Sequence, residues 1–399
     1  MRVAQARSST EFLRRTNSIL ILRALRERGA LSHTDIISET GLASATVSAI
    51  TAELTHAGII EQSEQHTPGA RGRPRVLLQP AQGCGYLVAI AISSDAVQFS
   101  LADYSGRLLD RFYESRNQTI KATAPFVSLL RTSLERICER SQITDRQILA
   151  ISISSKGIVD SARPVLLWSP IFGDGQIDFA DVFAQYDNAS IILKNETALV
   201  AGALGTRLPL GQLGLAVVSL GHNIGLGLVR AVDGETQTLA PNFSHMLHLP
   251  NGARCRCGAN GCVEAYAGFY AILRTAFEVP KDHIPAQFVP LSEIDRIADS
   301  ARRGDRMAGF AFRQAGVALG QGLSRLLSLH GRMPIAITGP GTRYYELMRD
   351  GLESGLAETH VVRMHGVPEI TLVEGEAELV FEGHKASALE RIDEHILGK

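Results

Sequence analysis

Near the start of the chain, Ile19, Leu22 and Leu25 recur at the spacing of one helical face. Ser32, followed three residues later by Asp35, predicts a capping box that opens a second helix through Ile36 and Ile37, ending near Gly41. Ser44 is read as the N-cap of a third helix, with Val47, Ile50 and Leu54 on its inner face. Ile59-Ile60-Glu61 and Arg75-Val76-Leu77-Leu78 then read as two short strands around a loop broken by Pro and Gly.

Beyond residue 80 the pattern changes to apolar strands alternating with helices. Gly85–Ile92, Ala96–Leu101, Ile148–Ser152, Ile191–Leu193, Leu215–Ser219, Ile224–Val229 and Ile335–Ile337 are the predicted strands. Asp103-Tyr104-Ser105-Gly106 reads as a hairpin turn, and helices are predicted over 124–141, up to Ala203, and over 306–330. This mixture predicts an α/β body. Two halves, each led by a hairpin, suggest a duplicated, kinase-like architecture with a cleft between them.

A chain of 399 residues predicts two or three domains, and its 45% hydrophobic content is enough for a large core. No apolar run reaches membrane-spanning length, and the short run Ile19–Leu22 is broken by Arg23, so a cytoplasmic protein without a membrane partner is expected. Residues 1–80 hold ten Arg against seven Asp plus Glu, a balance of +3, which leaves −4 for the rest given the total of −1. A basic N-terminal part on an acidic body points to a nucleic-acid partner for that part.

The order helix, helix, helix, strand pair is that of a winged helix-turn-helix. The outward face of its third helix is small and polar: Ser44, Ala45, Thr46, Ser48 and Ala49. Small side chains let a helix sit deep in the major groove of double-stranded DNA and touch base edges and thymine methyls. Between the wing strands, Arg71 and Arg73 stand on a Pro- and Gly-broken backbone, suited to a narrow minor groove of enhanced negative potential. The alternative is a small helical bundle with a solvated basic loop.

Three of the five cysteines, Cys255, Cys257 and Cys262, fall within eight residues, with His245 and His248 just upstream. Three thiolates and one imidazole make a closed tetrahedral Zn2+ site, which is structural because it keeps no open position. Spacing alone leaves both histidines in play. Buried thiols or a disulfide are the competing explanations, and reduced cytosolic thiols weigh against the disulfide. Cys84 and Cys138 read as ordinary buried residues.

The run Cys255-x-Cys257-Gly-x-x-Gly-Cys262-x-Glu264, with the helical triplet ahead of it, resembles the ROK family of repressors, open reading frames and kinases along essentially the whole chain. The resemblance implies a winged helix-turn-helix over 1–80 and, over 81–399, a two-lobed actin-like, ribonuclease-H-like body of the sugar-kinase type with a zinc loop at 245–262. It implies His245 as the fourth metal ligand. It also places Ile171, Asn195, Glu196, Asn242, His245 and Glu264 at a ligand pocket in the cleft.

Catalysis is not expected. Where family kinases carry Asp-x-Gly-Gly-Thr, this chain has Ala91, Ile92, Ser93, Ser94 and Asp95. The acid and both glycines that admit phosphate are gone. The second glycine loop reads Gly221-His222-Asn223-Ile224-Gly225, and Pro340 interrupts the third. The family's general-base Asp is Glu196, one methylene longer. Asn242 replaces a Glu and Ile171 replaces an Asn among the sugar contacts, which argues for a less hydroxylated or differently substituted ligand. The expectation is a transcriptional regulator of the repressor type, binding an operator as a homodimer or homotetramer under control of a small, sugar-like effector. The alternative is a sugar kinase with divergent phosphate loops.

Overall fold

The computed structural model describes residues 2–65, 75–116, 122–173, 175–232 and 235–398. The N-terminal part comprises α1 (Arg2–Arg28), α2 (His33–Thr40), α3 (Ser44–His56), β1 (Ile60–Gln65) and β2 (Arg75–Pro80). The capping box is present: the Ser32 hydroxyl accepts from the Asp35 amide at 3.3 Å, and the Asp35 carboxylate accepts from the Ser32 amide at 3.0 Å. Gly41 ends α2 at φ 69°, a left-handed conformation that glycine adopts without a Cβ penalty. β1 and β2 pair antiparallel, and Leu31 adds a bridge to Leu78.

The first lobe of the body holds β3 (Tyr86–Ile92), β4 (Ala96–Asp103), β5 (Leu108–Ser115), α4 (Thr123–Ser141), β6 (Ile148–Ser155), β7 (Ile158–Val159), β8 (Val165–Trp168), β9 (Ile177–Asp178), α5 (Phe179–Val182) and β10 (Ser190–Asn195). The second begins with α6 (Glu196–Gly205) and runs through β11 (Leu215–Leu220), β12 (Ile224–Val232), β13 (Glu235–Leu239), α7 (Glu264–Ala267), α8 (Phe269–Ala276), α9 (Leu291–Arg302), α10 (Arg306–His330), β14 (Ile335–Thr338), α11 (Tyr345–Leu356), α12 (His360–His365) and β15 (Ile370–Leu372). The chain returns to the first lobe by α13 (Glu376–Ile396), which packs on α6, β6 and β3.

The two large sheets have the same plan. In strand order they read β10-β6-β3-β4-β5 and β13-β12-β11-β14-β15. Each is a three-stranded antiparallel meander with two parallel strands added beside its first strand. The hairpin-led duplication expected from the sequence is therefore present at the level of topology. The small sheet β7-β8-β9 is an insertion that the sequence pattern did not signal.

Every side chain of β6 is buried, and β11 is buried throughout, as central strands covered on both faces require. The apolar interior divides by lobe except where α13 enters it: Leu379 and Val380 are buried with α6, β11, β12 and β14, and its later turns join a cluster with α1. Ile21, Leu22 and Leu25 of α1 share a single buried cluster with Leu87, Ala89 and Tyr104 of the first lobe and with Ala388, Leu389 and Ile392 of α13.

Candidate nucleic-acid face, metal cluster and cleft

On α3, Val47, Ile50 and Leu54 are buried, while Ser44, Ala45, Ser48 and Ala49 are exposed and Thr46 is half-buried. The expected outward face is thus exposed, apart from the half-buried Thr46. One detail differs from the sequence reading. The N-cap is Ala43, which holds the extended conformation, so Ser44 is already helical and the helix starts without a side-chain cap. Arg14 of α1 donates to Glu53 of α3 at 3.0 Å and ties the two helices on their exposed side. Arg71 and Arg73 lie outside the described residues.

His245, Cys255, Cys257 and Cys262 converge, with their ligand atoms all within 4.8 Å of one another. His245 Nδ1 lies 3.5 Å from Cys255 Sγ, and Cys257 Sγ lies 3.7 Å from Cys262 Sγ. Tetrahedral zinc with Zn–S of about 2.3 Å and Zn–N of about 2.0 Å would space its ligands by roughly 3.5–3.8 Å. The donor set and its edges fit that ion. The Cys262 thiol, by hydrogen bonding, with His245 and Tyr270 assisting, draws Cys255 down to about 3, the thiolate form a metal requires. The five cysteines form no disulfide. His248, the other sequence candidate, instead packs on Tyr266 with ring centroids 5.0 Å apart and is not in the cluster. Cys138 is buried as expected, whereas Cys84 is half-buried.

Between the lobes lies a cleft of about 350 Å³. Ala91–Ala96 form its first-lobe wall, Gly221–Asn223 and Pro340 face them, and Glu376, Ala377 and Val380 of α13 close one side. Of the six residues expected at a ligand pocket, Ile171 and Glu196 line this space. Asn195 uses both ends of its amide locally. Its Oδ1 caps α6 by accepting from the Thr197 amide at 2.9 Å, and its Nδ2 donates to the Gly157 carbonyl at 2.9 Å. Asn242 is exposed. His245 stands with the thiols, and the Trp168 ring meets it edge-on at 5.3 Å. Glu264 is buried and accepts weakly from the Ile224 amide at 3.4 Å, leaving its Oε1 without a partner.

The most consequential side chain in the cleft was not among those expected. Lys156 Nζ lies 3.4 Å from Glu196 Oε1 and 3.4 Å from Ser219 Oγ. Burial opposes its charge, but Glu196, Glu376 and Glu264 outweigh burial and hold the ammonium above the ordinary lysine value. Burial likewise pushes Glu196 up, against the pull of Lys156. His222 fills the loop opposite, stacked on Phe288 at 4.6 Å, and burial lowers it to about 4. Arg256, inside the cysteine loop, donates to the His222 carbonyl and to Asn223 Oδ1, both at 3.0 Å, so this loop braces the cleft wall. A lone cation ending an apolar strand, Ser154-Ser155-Lys156, is the signal that could have flagged Lys156 from sequence.

The family model described as the ROK family matches residues 87–375. The chain belongs to the ROK family. The model of the IclR helix-turn-helix domain matches residues 16–64, which span α2 and α3. The chain is similar to the xylose repressor of Caldicellulosiruptor bescii, 25% identical over 85% of this chain and 87% of that protein. It is similar as well to the DNA-binding transcriptional repressor Mlc of Escherichia coli, 23% identical over 84% of each chain. A crystal structure of a ROK family transcriptional regulator, a homologue of the E. coli Mlc protein, superimposes with a TM-score of 0.72 at 21% identity, covering 97% of this chain and 100% of that one. The α/β body with an N-terminal helix-turn-helix, expected from the sequence, is the fold of this ROK protein.

Proposed function

We propose that this ROK protein is a DNA-binding transcriptional repressor whose hold on its operator is controlled by a small, sugar-like ligand in the cleft. The observation that carries the reading is the exposed, small and polar face of α3 on a helix-turn-helix joined to a ROK body. Ser44, Ala45, Thr46, Ser48 and Ala49 would meet base edges in the major groove of double-stranded DNA, and Arg71 and Arg73 the phosphates or the minor groove. Relatives named as a xylose repressor and as the repressor Mlc support both halves of the reading. Ile171 and Glu196 would contact the effector directly, with Asn195, Asn242, His245 and Glu264 shaping its surroundings.

Zinc at His245, Cys255, Cys257 and Cys262 would be structural, since four protein ligands leave no position for a substrate. The chain would work in the cytoplasm as a homodimer or homotetramer, so that paired reading helices meet two half-sites one helical turn apart. The part over 1–80 would read DNA and the part over 81–399 would sense the ligand. Phosphoryl transfer is disfavoured by the same cleft. Glu196, at the general-base position, is tied to Lys156, and a base must be free to accept the proton of a sugar hydroxyl.

Selection of genomic fragments by the purified protein, followed by footprinting, tests the proposal. A protected pseudo-palindrome is the expected result. Absence of enrichment at moderate salt, together with phosphate transfer from ATP to a hexose, would replace it with the kinase reading.

A further inference from the structure

The helix α13 has one end in the ligand cleft and the other on the DNA-binding part. Its 21 residues span about 31 Å at 1.5 Å per residue. Glu376, Ala377 and Val380, in its first turns, line the cleft. At its middle, His384 is fully buried between two hydroxyls of β6, Ser152 Oγ at 2.8 Å and Ser154 Oγ at 3.0 Å. Gly383 lies so close to α6 that a Cβ would sit 2.5 Å from the Leu199 carbonyl oxygen. The helix is therefore closely packed along its middle, so that a push at one end is passed along it as a shift of the whole helix rather than taken up by bending.

At the far end Asp393, 1% exposed, receives Arg26 of α1 on both carboxylate oxygens, one contact being Arg26 Nη1 to Oδ1 at 2.9 Å. Tyr104 donates its hydroxyl to the same Oδ1 at 2.7 Å, and its ring lies under the Arg26 guanidinium at 5.3 Å. Arg15, one helical stretch earlier, donates to the Glu394 carbonyl at 2.6 Å. The bidentate geometry matters. A guanidinium held by two parallel contacts fixes orientation as well as distance. Since α1 also packs on α3, the orientation of α1 sets the orientation of the reading helix.

We propose that Asp393 is the positioning residue of the DNA-binding part, and that α13 carries the state of the cleft to it as a rigid-body displacement. The inference rests on the reading of the chain as an operator-binding protein with a ligand in its cleft. A ligand pressing on Ala377 and Val380 moves the helix, Asp393 moves with it, and α1 follows through Arg26. Coupling of this kind is reciprocal, so operator bound at α3 must also change the cleft.

Reciprocity gives a test that needs no knowledge of the ligand. The chain has one tryptophan, Trp168 of the first lobe, whose ring meets His245 of the second lobe edge-on. Its emission reports the closure of the lobes. The probe is the operator fragment recovered by the genomic selection, added to the full-length protein. The expected result is a change in Trp168 emission that saturates with DNA in the wild type. Asp393→Asn should still saturate, with affinity weakened on the order of tenfold, yet leave the emission unchanged. Tyr104→Phe, which keeps the ring and removes one hydrogen bond, should give an intermediate response and serves if Asp393→Asn does not fold. Saturation of the wild type without any emission change would overturn the proposal, and so would a full response from Asp393→Asn or, if that variant does not fold, from Tyr104→Phe. A wild type that binds no DNA at all would instead remove the underlying reading of the chain as a regulator.

Discussion

Gly316 of α10 faces Met348 of α11 so closely that a Cβ on the glycine would lie 2.2 Å from the Met348 carbonyl oxygen. The contact repeats one turn on, where Gly320 meets Leu352, and from the other side, where Gly351 and Gly355 press on Arg313 and Val317. Glycines four apart on both helices let two backbones touch. Gly316→Ala is expected to destabilise the protein by about 1–3 kcal/mol or more, because the obstruction is backbone and cannot rotate away. Gly309, on the same helix with nothing within 4 Å of its Cβ position, is the control. Gly309→Ala should stabilise by roughly 0.8–1.0 kcal/mol through helix propensity. Urea denaturation of the two variants measures both.

Replacing Ala45 by Glu places an acidic group on the exposed face of α3 without touching the core beneath it. Folding stability is expected to change by no more than about 0.5 kcal/mol, while operator affinity falls roughly tenfold or more as the carboxylate meets the DNA backbone and base acceptors. Gel-shift titration beside a thermal melt separates the two effects. Equal operator affinity would move the reading surface off α3.

Metal analysis of the purified chain should find one zinc per chain. Removal by a strong chelator, or Cys257→Ser, should lower the melting temperature and loosen the cleft wall, because Arg256 between the ligands Cys255 and Cys257 holds His222 and Asn223. Hydrogen exchange at residues 221–225 checks the second effect. A chain that keeps its melting temperature when metal-free would sink the zinc assignment.

His384 yields a pH dependence with a definite sign. Burial lowers it from 6.5 to about 3, so the folded chain holds it neutral where the unfolded chain takes up a proton. Its contribution is fully present above pH 6.5 and is lost as pH falls from 6.5 towards 3, with a slope of up to ~1.4 kcal/mol per pH unit. His384→Gln should flatten that part of the stability curve, read by urea denaturation at successive pH values. An unchanged slope would mean that His384 does not titrate alone in this range.

What the sequence showed of the fold followed from local causes. The capping box Ser32–Asp35, the left-handed stop at Gly41 and the buried apolar runs of the central strands each depend on residues near one another in the chain. The cysteine cluster was legible for the same reason, its ligands lying within eighteen positions. The choice between His245 and His248 was left open by spacing, since both reach the thiols; the family motif implied His245, and the turn at Phe243–His245 carries that histidine to the cluster. Likewise, Ser44 and Ala43 compete for one cap, and backbone conformation settles it. The cleft was the least legible part. Asn195 looked available to a ligand but spends its amide on a helix cap and a loop. Lys156 acquires its meaning from Glu196, forty positions later, and Asp393 from Arg26, 367 positions earlier. No window of sequence holds both members of such pairs.

The buried cluster shared by α1, the first lobe and α13 has a consequence for how the molecule melts. Ile21, Leu22 and Leu25 are buried in one cluster with Leu389 and Ile392 as well as with Ile36 and Val47 of the N-terminal part, so detaching the first eighty residues would return part of that surface to water. The DNA-reading part and the body it sits on therefore form one cooperative unit: heating should take both through a single transition, and a fragment ending near Pro80 should lack the stability that the same residues have in the whole chain.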